Sequence, residues 1–506
     1  MLYLLYCLLS FDNMLSSNGW RALVLSLALV PQAVADICAT LEAGGIEIEK
    51  RISLAYQTDL TEYWSTACGD LKPTCIAAPS SAAEMAQVIK NLHDVETLFG
   101  GHNPNNGFAS IQDGLLVSTK NLDQVDYNPE DHTAVIGPGL SWEEAQRGLA
   151  GTGRTIVGGR MGGVGVGGYM VGGGMSFLSS QYGWAANNVK DFEVVLANGS
   201  IVHATETENP DLFMSLKGGG NNFGVVTAYT MQTHPQDHKV WGGNYVYTAD
   251  KASEILTAVR NFTDEYPDDK AAIIVTFERS LVIDLCILFL FYDGPEPPSE
   301  VFDEFTAIEH TSTTKTWDTY YDLLNHNNFF ILKGQRYNIA TETTPLPNKT
   351  VGTAPLEEYY EHFRDVTGSV LEVAGILGSI AFQPLPKTFS QKAKDRGGDL
   401  LDIPSDQPYI VIELNYSYGL SIDDSKVDAA TVQLYQGMGN IVQKNIDKGL
   451  LPDVYRPLFM NDAYYRQDYW GRISPESKTL ALKTRKAYDP EGFFQTRTSG
   501  GWRLKD

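Results

Sequence analysis

Apolar and polar positions along this chain fall into two textures, and they change at His234-Pro235. Before that point, short apolar runs alternate with glycine-rich stretches. Ser80-Ser81-Ala82-Ala83-Glu84 places a serine cap and an acidic first turn ahead of an amphipathic pattern that runs to about His93, which predicts a helix. Leu115-Leu116-Val117-Ser118 and Thr133-Ala134-Val135-Ile136 read as strands. Ser141-Trp142-Glu143-Glu144 is a capping box ahead of a short helix ending near Gly151. Asn209-Pro210 caps another helix, which stops at Gly218-Gly219-Gly220. Beyond His234 the glycines thin out. Ala271 to Phe277, Leu281 to Phe291 and Tyr409 to Tyr418 read as strands, mixed with helical stretches such as Leu356 to Val366. That mixture predicts an antiparallel sheet with helices on one face. Ser474-Pro475 opens a last helix that runs to Tyr488 and stops at Asp489-Pro490.

The N-terminus reads as a targeting segment. Arg21 precedes the apolar run Ala22 to Val30, and Ala33-Val34-Ala35 offers a small-x-small cleavage site with Asp36 as the mature start. The run is too short to span a bilayer. A second apolar stretch, Leu2 to Leu9, lies upstream, so Met14 is an alternative start. Secretion predicts oxidised cysteines. Of the mature cysteines, Cys286 sits in an apolar strand and reads as a buried thiol, while Cys38, Cys68 and Cys75 cluster. Cys38 with Cys75 is the first pairing and Cys38 with Cys68 the second; spacing does not decide between them. Sequons at Asn198, Asn261, Asn348 and Asn415 add to the secretory reading.

The chain has 506 residues, room for two or three domains. Its net charge of −24 and lack of a basic stripe exclude a nucleic-acid binder and favour a monomer. Composition departs from the ordinary in its 47 glycines. Three segments concentrate them: Gly100-Gly101-His102-Asn103-Pro104-Asn105-Asn106-Gly107; Gly158 through Gly174, with Gly162, Gly163, Gly165, Gly167, Gly168, Tyr169, Gly172 and Gly173 in between; and Gly218 through Val226. Each presents backbone N–H groups without Cβ obstruction, as a pyrophosphate requires. Gly163, Gly165 and Gly168 also satisfy the dinucleotide fingerprint, with Asp191 downstream. That fingerprint needs a strand before it and a helix after it, and the run Gly172-Gly173-Gly174 disfavours the helix. His234 and His238 flank Pro235 and read as linker residues rather than metal ligands.

With these segments in view, the chain resembles the FAD-linked oxidases of the berberine-bridge-enzyme-like group, with the vanillyl-alcohol-oxidase type of FAD domain, especially fungal secreted members. Gly100-Gly101-His102, Gly137-Pro138-Gly139 with Trp142, Val164 to Gly168 with Gly172 to Gly174, Tyr182-Gly183, Asn188-Val189, Gly219 to Val226, Phe459 to Asp462 and Tyr488-Asp489-Pro490 through Phe494 carry the resemblance. It implies an α+β architecture: a two-subdomain FAD-binding domain (36–70 and 71–236), a substrate domain (237–455) with an antiparallel sheet backed by helices, and a closing segment (456–506), after a signal peptide over 1–35. It implies FAD bound at Gly100, Gly101, Asn103, Gly107, Gly137, Gly139, Gly165, Gly167, Gly168, Tyr169, Gly172, Gly173, Gly219, Asn222, Gly224, Val225, Val226 and Asn461, with His102 bonded to the flavin 8α-methyl. Where many members carry a second, cysteinyl link, this chain has Met161, so a single link is expected.

Oxidation also needs a base for the substrate proton. Asp462 stands where the resemblance puts it, although the family's Asn-Tyr pair reads Asn461-Asp462 here. Tyr416 and Tyr418 are the other candidates; two apart on a strand, they share a face, which serves a site or an aromatic core equally. The expected reaction is hydride transfer from a small alcohol or secondary-metabolite intermediate to flavin, then to dioxygen. A sugar lactol is the alternative substrate, and a secreted binding protein the non-enzymatic alternative.

Overall fold

The computed structural model describes residues 34–93, 99–100, 105, 108–330 and 332–505. The N-terminal leader and the Gly101, His102, Asn103 and Gly107 positions lie outside the described residues.

The glycine-rich half builds two small sheets. In the first, Ile48–Lys50, Cys75–Ala77, Leu115–Val117 and Phe99–Gly100 lie side by side. Its last three strands are mutually parallel, so Gly100 ends a strand that carries the chain toward His102. In the second, Val125–Asn128, Thr133–Ile136, Val225–Gln232, Val189–Val195 and Ile201–Ala204 are antiparallel throughout. The predicted amphipathic helix forms as Ala82–His93. Its Met85, Val88 and Ile89 share one core with Val195 of the second sheet and Leu115 of the first, which couples the two sheets. Cys38 and Cys75 are bonded, with Cα atoms 6.4 Å apart, while Cys68 and Cys286 are buried and free.

The second half is an eight-stranded sheet in the order Thr311–Ser312, Val240–Thr248, Asp284–Tyr292, Ala271–Arg279, Leu377–Leu385, Tyr409–Tyr418, Arg336–Pro345, with Lys315–Trp317 pairing at its edge. Every ladder in it is antiparallel. Helices Ala252–Glu265, Ala354–Gly368 and Asp424–Asp447 cover one face and share a core with Ile273, Val275, Ile380, Ile412 and Leu414. The opposite face carries Ala272, Ile274, Phe289, Phe291, Ala381 and Val411, which pack on the glycine-rich half. The α+β expectation therefore holds, with an antiparallel sheet backed by helices as read from the pattern.

The closing segment returns to the first half. Helix Pro475–Tyr488, capped by Ser474, packs on Pro210–Leu216, with Ser215 and Thr484 hydroxyls 3.0 Å apart. Asp489 is fully buried and accepts from the backbone N–H groups of Phe493 and Phe494 at 2.7 and 2.9 Å.

Several local expectations change. The strand expected from Leu281 begins only at Asp284, because residues 281–283 form the turn; Leu281 and Val282 are 73% and 91% exposed. Asn209 precedes its helix in a left-handed conformation, and its amide donates to His203 instead of capping. A six-residue helix, Val166–Val171, does open at the dinucleotide-like motif, but Gly172 ends it. Asp191 is engaged with His203 at 2.7 Å, and the strand that follows pairs antiparallel, so no dinucleotide-type βαβ unit forms. His234 is buried against Tyr182 and Asn188, and His238 is held by Asp293. Both are structural; among the described residues no group of metal-ligating side chains forms.

The disulfide closes a separation of 37 residues across the first sheet. Replacing both Cys38 and Cys75 with serine is expected to lower unfolding free energy by about 2–4 kcal/mol, read as a shift in guanidinium midpoint at unchanged slope.

Candidate active site

The glycines of the first half divide by what a side chain would strike. At Gly137 and Gly139 a Cβ would lie 2.0 Å from the Leu122 carbonyl oxygen and 2.2 Å from that of Thr119. Those glycines let two chain segments touch. Likewise Gly158 and Gly159 lie flat against the Trp142 ring, and Gly224 lies against Val194. Gly219 meets the Ser215 carbonyl. Gly165 is different: nothing lies within 4 Å of its Cβ position, so its backbone borders open space. It precedes the Val166–Val171 helix, as a cradle for a phosphate would. Gly167 packs on Pro138, and its carbonyl accepts from the Tyr229 hydroxyl at 2.8 Å. Val225 and Val226 begin a strand of the second sheet.

Gly172, Gly173 and Gly174 make a tight turn that Asn461 grips. Asn461 Oδ1 accepts from the Gly174 N–H at 3.2 Å, and its Nδ2 donates to the Tyr169 carbonyl at 3.2 Å. Asn461 was expected to bond the flavin ring, yet both ends of its amide are committed to backbone. Tyr169 stands edge-on to Trp142, and its hydroxyl donates to the Met175 carbonyl at 2.6 Å. Asn222, fully buried, donates to the Gly219 and Trp502 carbonyls and accepts from Leu504 N–H, so it ties the C-terminal tail to the third loop. Asn105, three residues past His102, is also buried. Its amide donates to the Ala463 carbonyl at 2.9 Å and accepts from Tyr465 N–H at 3.0 Å. Asn105 is thereby fastened to the backbone that follows Asp462.

Asp462 sits where the closing segment meets the face of the large sheet that packs on the glycine-rich half. Gln383, fully buried on that face, donates to Asp462 Oδ2 at 2.9 Å, and Arg160 of the second glycine loop donates to Gln383 Oε1. Arg160 Nη1 also approaches Met175 Sδ at 3.6 Å. Facing this group is Glu413, in the Tyr409–Tyr418 strand. Burial raises the Asp462 carboxyl, while Gln383 and Arg160 pull it back down. Burial and then the Asp462 charge push Glu413 up to about 8; Arg160 and Asn415 oppose this. Two carboxyls in one desolvated space do not both ionise readily, so the pair retains a proton through neutral pH.

Sequence reasoning missed Glu413. Its signal was present: one charged residue inside Tyr409-Ile-Val-Ile-Glu-Leu-Asn-Tyr-Ser-Tyr418. Reading the tyrosines as candidates pointed to the wrong face. Tyr416 and Tyr418 alternate with Glu413 and are buried on the helix side. The Tyr416 hydroxyl lies 3.0 Å from that of Thr367, and the Tyr418 hydroxyl donates to Asp424 at 2.8 Å. They belong to the core, away from Asp462. Asn415 is corrected as well. It lies mid-sheet, half-buried with a buried Oδ1, where no glycan fits. Asn198 and Asn348 are exposed in turns, while Asn261 lies on a helix bonded to Glu304.

Comparison with known proteins agrees with this geometry. Residues 73–205 match the family model of an FAD binding domain. An FAD-linked oxidoreductase of Arthroderma benhamiae is 44% identical over 473 residues, which cover 92% of this chain and 94% of that protein. The bifunctional solanapyrone synthase of Alternaria solani is 29% identical over 461 residues, which cover 88% of this chain and 84% of that protein. Among solved structures, the carbohydrate oxidase from Microdochium nivale in complex with a substrate analogue superposes with a TM-score of 0.73 at 21% identity, over 93% of this chain and 100% of that one. That last likeness is one of fold.

Gly174 has φ +75, and a Cβ there would lie 2.3 Å from the Tyr169 ring. Gly174→Ala is expected to cut flavin content per chain, measured from visible absorbance. Gly352→Ala, at φ +69 but in open space, is the control expected to keep it.

Proposed function

Because this chain belongs to the FAD-linked oxidoreductases, and is an FAD-dependent enzyme of the oxidase fold, we propose that it oxidises an alcohol of a small organic molecule, with FAD tethered once through His102 and dioxygen as acceptor. The observation that carries the reading is the half-buried carboxyl pair of Asp462, on the closing segment and held by Gln383, and Glu413, on the strand beside it. Bound FAD would supply the acceptor for the substrate hydride and the route of those two electrons to dioxygen, which would leave as hydrogen peroxide.

The protein's own groups handle the proton. Asp462 Oδ2 is held by Gln383, and Oδ1 accepts from no donor among the described residues. Oδ1 takes the substrate hydroxyl proton as the carbon gives up hydride, so the alcohol leaves as a carbonyl. Glu413, which already holds the pair's retained proton and keeps it in that step, presents a donor to the substrate oxygen rather than a second negative charge. Arg160 and Gln383 hold Asp462 in the orientation that accepts. Asn461 ties the Tyr169–Gly174 turn to the segment that carries Asp462, and Asn105 is tied to that segment at Ala463. On the cofactor side, the residues available are the open backbone at Gly165, the turn at Gly172 and Gly173, and the third loop held by Asn222. Met161 is a thioether, which leaves His102 alone for a covalent link.

A sugar lactol is the second reading. The stacked Trp64 and Tyr337 rings, 3.9 Å apart beside the same sheet face, favour it, because sugar rings settle on aromatic faces. Domain limits at 36–236, 237–455 and 456–506 follow the same proposal, as does a monomeric secreted protein glycosylated at Asn198 and Asn348. The Cys38–Cys75 bond supports the oxidising compartment. Among the described residues no helix is long and apolar enough to cross a membrane.

Acid precipitation of the purified protein is expected to leave yellow flavin in the pellet; free flavin in the supernatant refutes the tether. Asp462→Asn is expected to lower kcat about a hundredfold or more, with peroxide release from alcohols and sugars as the assay. In the wild type, a titration followed by flavin absorbance is expected to show a step near pH 8 as Glu413 loses its proton, and Glu413→Gln removes that step.

A further inference from the structure

The flavin-side face of the large sheet changes character along its strands. At one end Ala272, Phe291, Leu385 and Tyr409 are packed under the glycine-rich half. At the other end the same face carries Glu278, Ser379 and Asn415, which are polar and half-exposed. Glu278 stands there. It alternates with Phe277, which is on the helix side, and follows Ala272 and Ile274 on the flavin side, with no register break from 271 to 279. Across the sheet Glu278 pairs with Ser379, and Ser379 pairs with Asn415. Asn415 is the next residue on the same face after Glu413. From Glu413 to Glu278 is two strands across and one pair along, about 12 Å between Cα atoms.

Glu278 has no cation beside it: none of the ion pairs among the described residues includes it. Desolvation is the cause that pushes its carboxyl up to about 7. A half-buried carboxylate without a partner is costly, and a fold keeps one only where something else relieves it. Two neighbours suggest what that is. Asn415, whose side chain meets Glu413, has a buried Oδ1 that accepts no hydrogen bond among the described residues. Tyr337, stacked on Trp64, lies close enough for the Glu278 charge to raise it. Acceptors and an aromatic pair thus sit at the far end of the groove, while its guanidinium, Arg160, is occupied at the near end by Gln383.

We propose that Glu278 is a specificity-determining residue that takes the cationic pole, a protonated amine, of a substrate whose alcohol lies at Asp462. This rests on the proposed oxidase reading for the near end of the groove. Glu278 and Asn415 Oδ1 accept from the ammonium, and the Tyr337–Trp64 pair lies against its apolar neighbours. A carboxylate at the same place meets like charge and is rejected.

The test is binding of three probes of one shape, phenethylammonium, 2-phenylethanol and phenylacetate, to the flavin-loaded full chain by calorimetry. The ammonium is expected to bind about tenfold or more tighter than the alcohol, and phenylacetate weakest. Glu278→Gln, which keeps shape and loses charge, is expected to erase the preference, and Glu278→Asp to retain part of it. Glu413→Gln is expected to leave it in place. Equal affinity for the three probes, a preference that survives Glu278→Gln, or one that disappears with Glu413→Gln overturns the proposal. The same titration in Asp462→Asn keeps the two readings apart: it is expected to preserve the ammonium preference whether or not turnover is lost.

Discussion

A desolvated pair of carboxyl groups is the constraint around which this molecule is arranged. Asp462 and Glu413 come from opposite ends of the construction problem. One lies on a closing segment that has crossed back to the first half, and the other is mid-strand in a sheet of the second half. Neither is tolerable alone in so dry a place. Gln383 and Arg160 make Asp462 tolerable, and a shared proton does so for Glu413. Such an arrangement survives only if both halves are held in register, and much of the remaining structure does that holding.

The holding is achieved by buried amides rather than by apolar packing alone. Asn461, Asn105 and Asn222 each join their own segment to backbone groups far away in sequence. A buried amide left half-bonded costs more than it contributes, so each such residue specifies one relative placement of its two partners. Glycines do the complementary work. Where Gly158 and Gly159 meet Trp142, or Gly172 meets Asn461, the missing Cβ is the space that the partner occupies. Many of the glycines that could serve a ligand therefore serve close approach of the chain to itself, whereas the Cβ position of Gly165 in the central loop faces open space.

The sequence made the architecture readable because its signals were local. The capping box at Ser141, the Ser474 cap and the helix at Ala82–His93 each need only a few neighbouring residues. The alternation in Tyr409–Tyr418 showed that alternate residues share a face, but not which face is which. That depends on where helices Ala354–Gly368 and Asp424–Asp447 dock, and docking is a long-range matter. Tyr416 and Tyr418 were misjudged for this reason, and Glu413 was overlooked for the same one. The Asn415 sequon failed similarly, because three residues cannot report burial in a sheet assembled from strands far apart. Asp462 was found through resemblance, and its partners Gln383 and Arg160 were not, since they lie 79 residues before it and in a glycine loop.

The two ends of the flavin-side face follow from one geometric fact. A twisted antiparallel sheet can press on a neighbour over only part of its length. Where it presses, the strands carry Ala272, Phe291 and Val411, and the contact is dry. Where it diverges, the same face must be polar, because water or a ligand meets it. Glu413 stands at the border between these regimes, which is why its carboxyl is both buried enough to be raised and open enough to be reached. Glu278 stands beyond the border, on the open side. Changing the chemistry of the groove then needs only substitutions on the diverging end, at positions such as Glu278, Ser379 and Asn415, with the packed end and its cofactor loops left as they are.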